Sequence, residues 1–373
     1  MSIHQDYGLT QVINARGTFT PLGVSRSSPQ VGNAVAAALG GFFVIDELQE
    51  ALSRAAAEAT GAEAATVVHC AAAGITLSVA ATMAGRDPKR VAALPDATGM
   101  PQRVVLPAGH AVDYGHPIVT DIRLAGATPV LAGTRESCGV ADIEAALAHE
   151  ATACLLLVSS RLVFGELVDL QEAVAAARRR GVPAIIDGAA QDLRIGELLA
   201  TGADLVVLSA QKYLAAPTAG LVVGRAGLVQ ACRAQERGIG RAMKATKEAL
   251  VGVLAALAER QHLDLGNWSA RQERKVADFV ARADRIPGLR ATLVPDPSGM
   301  PFPRACIAVE PAASPNASAL ATALQEGTPP IWLMDHEADE GRLILELVPL
   351  DDREIAAILA RLEVLVRPEG GRV

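Results

Sequence analysis

Lysine is nearly absent from this 373-residue chain. Lys89, Lys212, Lys244, Lys247 and Lys275 are the only five, so 29 of the 34 basic residues are arginine. Excess positive charge is absent too. A formal charge of −7 and a pI near 5.6 give no basic field to hold a phosphate backbone, which speaks against a nucleic-acid partner. Cys70, Cys138, Cys154, Cys232 and Cys306 are scattered, odd in number and without a CxxC pair. That argues against a structural metal site or a disulfide framework and fits a reducing compartment. No apolar run approaches the roughly 20 residues that span a bilayer. The opening MSIHQDYGLT lacks a basic stretch followed by an apolar core, so a cytoplasmic protein without membrane association is expected. Aromatics make up 3% of the chain, yet hydrophobic residues reach 50%, too many for disorder.

A chain of this length exceeds one core of about 250–300 residues, so two domains are expected. Short, continuous apolar runs end near His69, Leu106, Ala132, Val158, Ile186, Leu208 and Val223, and helical patterns separate most of them. This is the pattern of an α/β fold, a mostly parallel sheet covered by helices on both faces. After Gly240 the pattern becomes that of a smaller α+β domain. The expected division is an N-terminal segment 1–30, a large domain 31–243 and a C-terminal α+β domain 244–373.

Ligands of open α/β sheets sit at the carboxyl ends of the strands. Asp187 closes the run Pro-Ala-Ile-Ile-Asp, and Lys212 follows Asp-Leu-Val-Val-Leu-Ser-Ala-Gln, about one βαβ step later. Burial lowers a lysine's pKa and makes a nucleophilic amine, and a nearby carboxylate can keep a pyridine nitrogen protonated. Those are the needs of pyridoxal phosphate. Residues 67–77 read as a strand, a small-residue turn and a helix start, which would let backbone N–H groups approach a phosphate. His110, in a polar turn after a strand, could stack on a flat ring. Neither a Walker signature nor GxGxxG is present, so nucleotide-type cradles lack support.

The stretch 185–224, from Ile-Ile-Asp-Gly-Ala-Ala-Gln through Leu-Ser-Ala-Gln-Lys-Tyr-Leu-Ala-Ala-Pro-Thr-Ala-Gly, resembles the fold type I pyridoxal-phosphate enzymes. More narrowly it resembles the bacterial selenocysteine synthase (L-seryl-tRNA(Sec) selenium transferase) group, in its D-glucosaminate-6-phosphate ammonia-lyase-like branch. Residues 12–18, 69–77, 109–116 and 240–248 carry the same resemblance. It implies that Lys212 forms the Schiff base with the cofactor, that Asp187 pairs with the pyridine nitrogen and that His110 stacks on the ring. Ala72, Ala73 and Gly74 would donate backbone N–H groups to the phosphate and Ser209 a hydroxyl, with Gln211 and Gln191 as further cofactor contacts. Arg16, Arg135 and Arg241 match basic positions and are candidates for a substrate carboxylate or phosphate. No metal is implied. One departure is that Pro329-Pro330-Ile331-Trp332-Leu333-Met334 holds no arginine where the branch is pictured to carry one. Selenium transfer on tRNA is disfavoured by the acidic charge.

The expected activity is a pyridoxal-phosphate-dependent lyase acting on a small amino acid or amino-sugar acid. α-Proton abstraction and β-elimination would give a 2-keto acid and ammonia. Aminotransfer, racemisation and aldol cleavage share the same logic, and a cofactor-binding protein without turnover is the alternative of another class. The resemblance also implies a homodimer or a ring of dimers. Ordinary roles are open to other residues. Cys70 reads as a small apolar filler, and His69 and His116 as structural. Lys244 and Lys247 form a solvated helix face or an anion site, Arg178 to Arg180 a helix C-terminus, and Trp268 and Trp332 core packing.

Overall fold

The computed structural model describes residues 3–368, so the outer ends of the expected terminal segments, 1–2 and 369–373, lie outside the described residues. Two compact units are present. One runs from Ser27 to His262, and the other combines the residues up to Arg26 with those from Leu263 on.

The first unit is built on a seven-stranded sheet. Its strands are β1 (Ala64–Val68), β2 (Arg103–Pro107), β3 (Thr128–Ala132), β4 (Thr152–Val158), β5 (Ala184–Asp187), β6 (Leu205–Ser209) and β7 (Gly220–Gly224). Their order is β1-β7-β6-β5-β4-β2-β3, with only β7 antiparallel to its neighbours. All residues of β5, β6 and β7 are buried, as a sheet covered on both faces requires. Helices α1 (Pro29–Leu39) and α2 (Ile45–Thr60) precede the sheet, and α3 (Ala71–Ala84) follows β1. Eleven of the 14 residues of α3 are buried, so it is apolar on every side rather than amphipathic. At Gly74 this helix lies so close to the sheet that a Cβ would stand 2.7 Å from Val207 Cγ1.

The second unit contains a three-stranded antiparallel sheet of Leu289–Pro295, Pro303–Val309 and Arg342–Leu345, with Pro303–Val309 in the centre. Ile13–Asn14 pairs in parallel with Ile331–Trp332, which ties the N-terminal segment to this sheet unit.

The α/β class and the mostly parallel sheet agree with expectation, but the division of the chain does not. The helix Lys247–Gln261 packs on α1 and α2, and its Leu250, Val253, Ala256 and Leu257 share a core with Val31, Leu48 and Leu52. The boundary expected at 243/244 therefore falls one helix too early. Residues 1–30 are likewise not a segment apart. Ile13 N–H donates to the Pro330 carbonyl at 2.9 Å and Ala15 N–H to that of Trp332 at 2.7 Å. Charge pattern and periodicity cannot reveal a strand of two residues whose partner lies some 300 positions on.

Candidate active site

Asp187 is the last residue of β5 and is only 5% exposed. Its Oδ1 accepts the Ala189 N–H at 3.0 Å, which turns the carboxyl toward the strand end. Burial pushes its pKa up to about 6, opposed by the positive charge of Lys212 and by the Ala189 N–H. Lys212 lies in the loop joining β6 to the reversed β7. That loop is closed by Ala210 N–H to the Ala219 carbonyl (2.9 Å) and Ala216 N–H to the Ala210 carbonyl (3.0 Å). Its turn, Lys212 to Ala215, ends on a left-handed Ala215 with φ of 54°, an uncommon state for a residue with a Cβ. Desolvation lowers the Lys212 pKa, the charge of Arg161 lowers it further, and Asp187 and Asp192 oppose the shift. The fold thus sets a half-buried, desolvated amine and a buried carboxyl in electrostatic contact at neighbouring strand ends.

His110 ends a short 3-10 turn after β2 and is buried. Its Nδ1 accepts the Val158 N–H at 2.9 Å, so the ring is fixed against the end of β4 and carries its proton on Nε2. Burial lowers its pKa to about 4, which keeps the imidazole neutral. Ser209 ends β6 opposite Gly220 of β7. A Cβ on Gly220 would collide with the Cys70 carbonyl and stand 2.9 Å from Ala71 N, so only glycine lets β7 approach the start of α3 this closely. Ser209 and the α3 N-terminus are therefore brought to the same end of the sheet.

A sequence model described as SelA: L-seryl-tRNA selenium transferase matches residues 46–267. The chain belongs to the L-seryl-tRNA selenium transferase family. Along nearly its whole length it resembles two characterised relatives. It is 37% identical over 99% of this chain and 93% of the other to 5'-C-glycyluridine monooxygenase-decarboxylase of a Streptomyces species. It is 36% identical, over 97% of each chain, to D-glucosaminate-6-phosphate ammonia lyase of Salmonella typhimurium. A solved structure of D-glucosaminate-6-phosphate ammonia-lyase superposes with a TM-score of 0.88 at 34% identity and covers 98% of both chains. A member of the L-seryl-tRNA selenium transferase family with this fold is a fold type I pyridoxal-phosphate enzyme.

The donor set fits that cofactor. It offers a desolvated amine, a buried carboxyl, a neutral fixed ring, and first-turn N–H groups at Ala71, Ala72 and Ala73 that have no acceptor within the helix. The Ala73 N–H reaches only the weak acceptor Cys70 Sγ at 3.5 Å. Gly74 departs from expectation as a phosphate donor, because its N–H is spent on the Cys70 carbonyl at 2.9 Å in the first helical bond. Its glycine serves the close contact with β6 instead. Gln191 is fully buried, its Oε1 accepts from Arg194 at 3.3 Å, and its Nε2 has no partner among the described residues. A buried donor left unused beside the Asp187 turn suits a cofactor oxygen. Gln211 Oε1 accepts the Thr218 hydroxyl at 2.9 Å, bracing the lysine loop.

The three candidate arginines stand on different elements. Arg16 belongs to the second unit, paired with Asp335 at 3.3 Å and stacked over Phe19. Arg135 covers the Phe164 ring at 4.3 Å. Arg241 is exposed on the 3-10 turn Ile239–Met243. Met334, where an arginine was pictured, is buried, and Arg304 Nη1 reaches its sulfur at 2.9 Å. Arg304 is itself held by Asp296 and Glu346. Two charged groups near Lys212 escaped the sequence reading. Arg161 follows β4 by three residues, a strand-end position that could have marked it. Asp192 is buried and bonded at 2.9 Å to Arg260 from the helix Lys247–Gln261, which no local pattern shows.

Proposed function

We propose that this chain catalyses elimination and deamination of an amino acid or amino-sugar acid that carries a β-leaving group, giving a 2-keto acid and ammonia. The observation that carries the reading is the pairing of buried Asp187 with desolvated Lys212, in a chain 36% identical along its length to D-glucosaminate-6-phosphate ammonia lyase. Pyridoxal phosphate, when bound, supplies an electron sink for the pair left when the α-C–H bond breaks. Lys212 holds the cofactor and is the base for the α-proton, since desolvation raises the share of neutral amine at working pH. Asp187 keeps a proton on the pyridine nitrogen. His110 offers a flat neutral face. The first turn of α3 and Ser209 hold the phosphate. Arg135, Arg161 and Arg241 are the candidates in this unit for the substrate's acidic groups. We assign a small-molecule amino substrate, in keeping with the ammonia lyase it resembles. We also assign a homo-oligomer in the cytoplasm and no nucleic-acid partner, in line with the charge of −7. Among the described residues no helix is long and apolar enough to cross a membrane.

The test is ammonia and keto-acid release by cofactor-loaded protein across D- and L-amino acids and amino-sugar acids. Lys212→Ala should lose the visible absorbance of the covalently held cofactor and at least about 1,000-fold in rate. A wild-type protein that takes up no pyridoxal phosphate, or releases no ammonia, sinks the reading. The 37% identity to 5'-C-glycyluridine monooxygenase-decarboxylase favours a second reading, oxygen-dependent decarboxylation. Carbon dioxide release that consumes oxygen and stops under anaerobic conditions would select it.

A further inference from the structure

We propose that His116, oriented by the buried carboxylate of Asp121, is the catalytic acid that partners the base Lys212 and delivers the proton that the departing β-hydroxyl needs. The inference rests on the elimination reading above. Elimination of a hydroxyl needs two proton transfers, one from the α-carbon and one to the leaving oxygen, and Lys212 accounts for the first.

The geometry sits in the turn after His110. Asp121, on the helix Ile118–Leu124, is 1% exposed. Its Oδ1 lies 3.1 Å from His116 Nε2, and its Oδ2 accepts the Tyr114 hydroxyl. His116 Nε2 is also 3.0 Å from the Tyr114 oxygen, and the two rings meet edge-on at 5.0 Å and 71°. The Asp121 carbonyl accepts the Thr76 hydroxyl at 3.1 Å, which ties the cluster to α3, the helix whose first turn would hold the phosphate. Burial, the hydrogen bond to Asp121 and the charges of Asp121 and Asp187 all push the Tyr114 pKa upward, so the cluster stands within electrostatic reach of the strand-end aspartate. His116 itself is 37% exposed.

A buried carboxylate bonded to one imidazole nitrogen fixes the tautomer and steadies the protonated ring. Here Nε2–H faces Asp121, which leaves Nδ1 as the working nitrogen. The step balances as follows. Lys212 removes the α-proton, and the C–H pair becomes the Cα=Cβ bond. The Cβ–O bond breaks with its pair on oxygen, and protonated His116 gives its Nδ1 proton to that oxygen. Water leaves. Lys212 then loses a proton to solvent and His116 regains one.

The experiment uses the cofactor-loaded enzyme and His116→Gln, whose amide can still donate to Asp121. Keto-acid formation from a β-hydroxy substrate should fall about 100-fold. Solvent deuterium exchange at the α-carbon, turnover of a β-fluoro analogue whose leaving group needs no proton, the cofactor absorbance and the melting temperature should all hold. Equal loss with hydroxy and fluoro substrates, or no loss with either, overturns the proposal. In 15N-imidazole NMR, Asp121→Asn should release His116 from its Nε2–H tautomer, and an unchanged spectrum removes the orienting role. If the wild type releases no ammonia from any substrate, the elimination reading falls and this inference falls with it. If the wild type works and His116→Gln matches it, only the inference falls.

Discussion

At the scale of single residues, His110 and Asp187 respond to acid in opposite senses. His110 has its folded pKa lowered to about 4, so the stability it contributes is complete above the unfolded value near 6.5 and is lost as pH falls toward 4. Asp187 has its folded pKa raised to about 6, so the strain of its buried charge is present above pH 6 and is relieved as pH falls toward 3.8. Over the same window the two offset one another. In cofactor-free protein, Asp187→Asn removes the relief and leaves the His110 penalty. Its stability should fall about 2 kcal/mol more than that of wild type between pH 6.5 and 4.5. Denaturant unfolding at several pH values reads this directly, and parallel wild-type and variant curves would contradict it. Lys212 and Asp187 were legible because each follows an apolar strand, where a charge has few other reasons to stand. Of the other lysines, Lys247 spends its ammonium on the Leu39 and Gly41 carbonyls, and Lys275 on those of Leu347 and Leu350. Those roles were invisible, since carbonyl partners leave no mark on side-chain identity. His116 was read as structural for want of a partner. Asp121, five residues on, becomes one only once the turn folds back.

At the scale of elements, strand positions were readable because short, continuous apolar runs bounded by turn residues and separated by helical patterns fit buried strands. Helix starts were less so. The helix start expected within 67–77 falls at Ala71, a position hard to fix because an alanine-rich turn carries no polar cap signal and the cap is a cysteine. The helix Ala226–Ala234 is hard to read from the sequence, since only Val229, Ala231 and Cys232 are buried and its N-cap Arg225 makes no side-chain cap. Glycines separate two kinds of constraint on α3. A Cβ at Gly74 meets only side chains, nearest those of Val207 and Val222, so Gly74→Ala should cost about 1–3 kcal/mol of stability through overpacking. A Cβ at Gly220 meets backbone at Cys70 and Ala71, which cannot rotate away, so Gly220→Ala must move the cradle itself. Its dissociation constant for pyridoxal phosphate should rise by about tenfold or more, which is at least about 1.4 kcal/mol. Titration of both variants with the cofactor, beside thermal unfolding, distinguishes them. Equal affinity for wild type and Gly220→Ala would show that the α3 N-terminus does not hold the phosphate.

At the scale of the whole molecule, the unit boundaries were the least legible feature, because the chain leaves the second unit at Arg26 and returns to it at Leu263. A linear scan favours contiguous domains, and no composition shift marks either crossing. Assembly is the remaining question at this scale. The segment joining α1 to α2 exposes Phe42, Phe43, Val44 and Ile45 in succession, beside Leu39. It is not loose, because the Lys247 ammonium clasps its carbonyls and lies 5.8 Å from the Phe42 ring centre. A clasped loop that presents four consecutive apolar side chains has the character of an interface rather than of a solvated turn. With only 11 aromatic residues in the chain, two adjacent exposed phenylalanines stand out further. Phe42→Asp replaces a fully exposed side chain, so it should leave the melting of an isolated protomer unaffected while weakening contact between copies. Light scattering coupled to size exclusion should show the wild type at a multiple of 38.6 kDa and the variant shifted to smaller species. A variant whose mass equals that of wild type places the interface elsewhere on the chain.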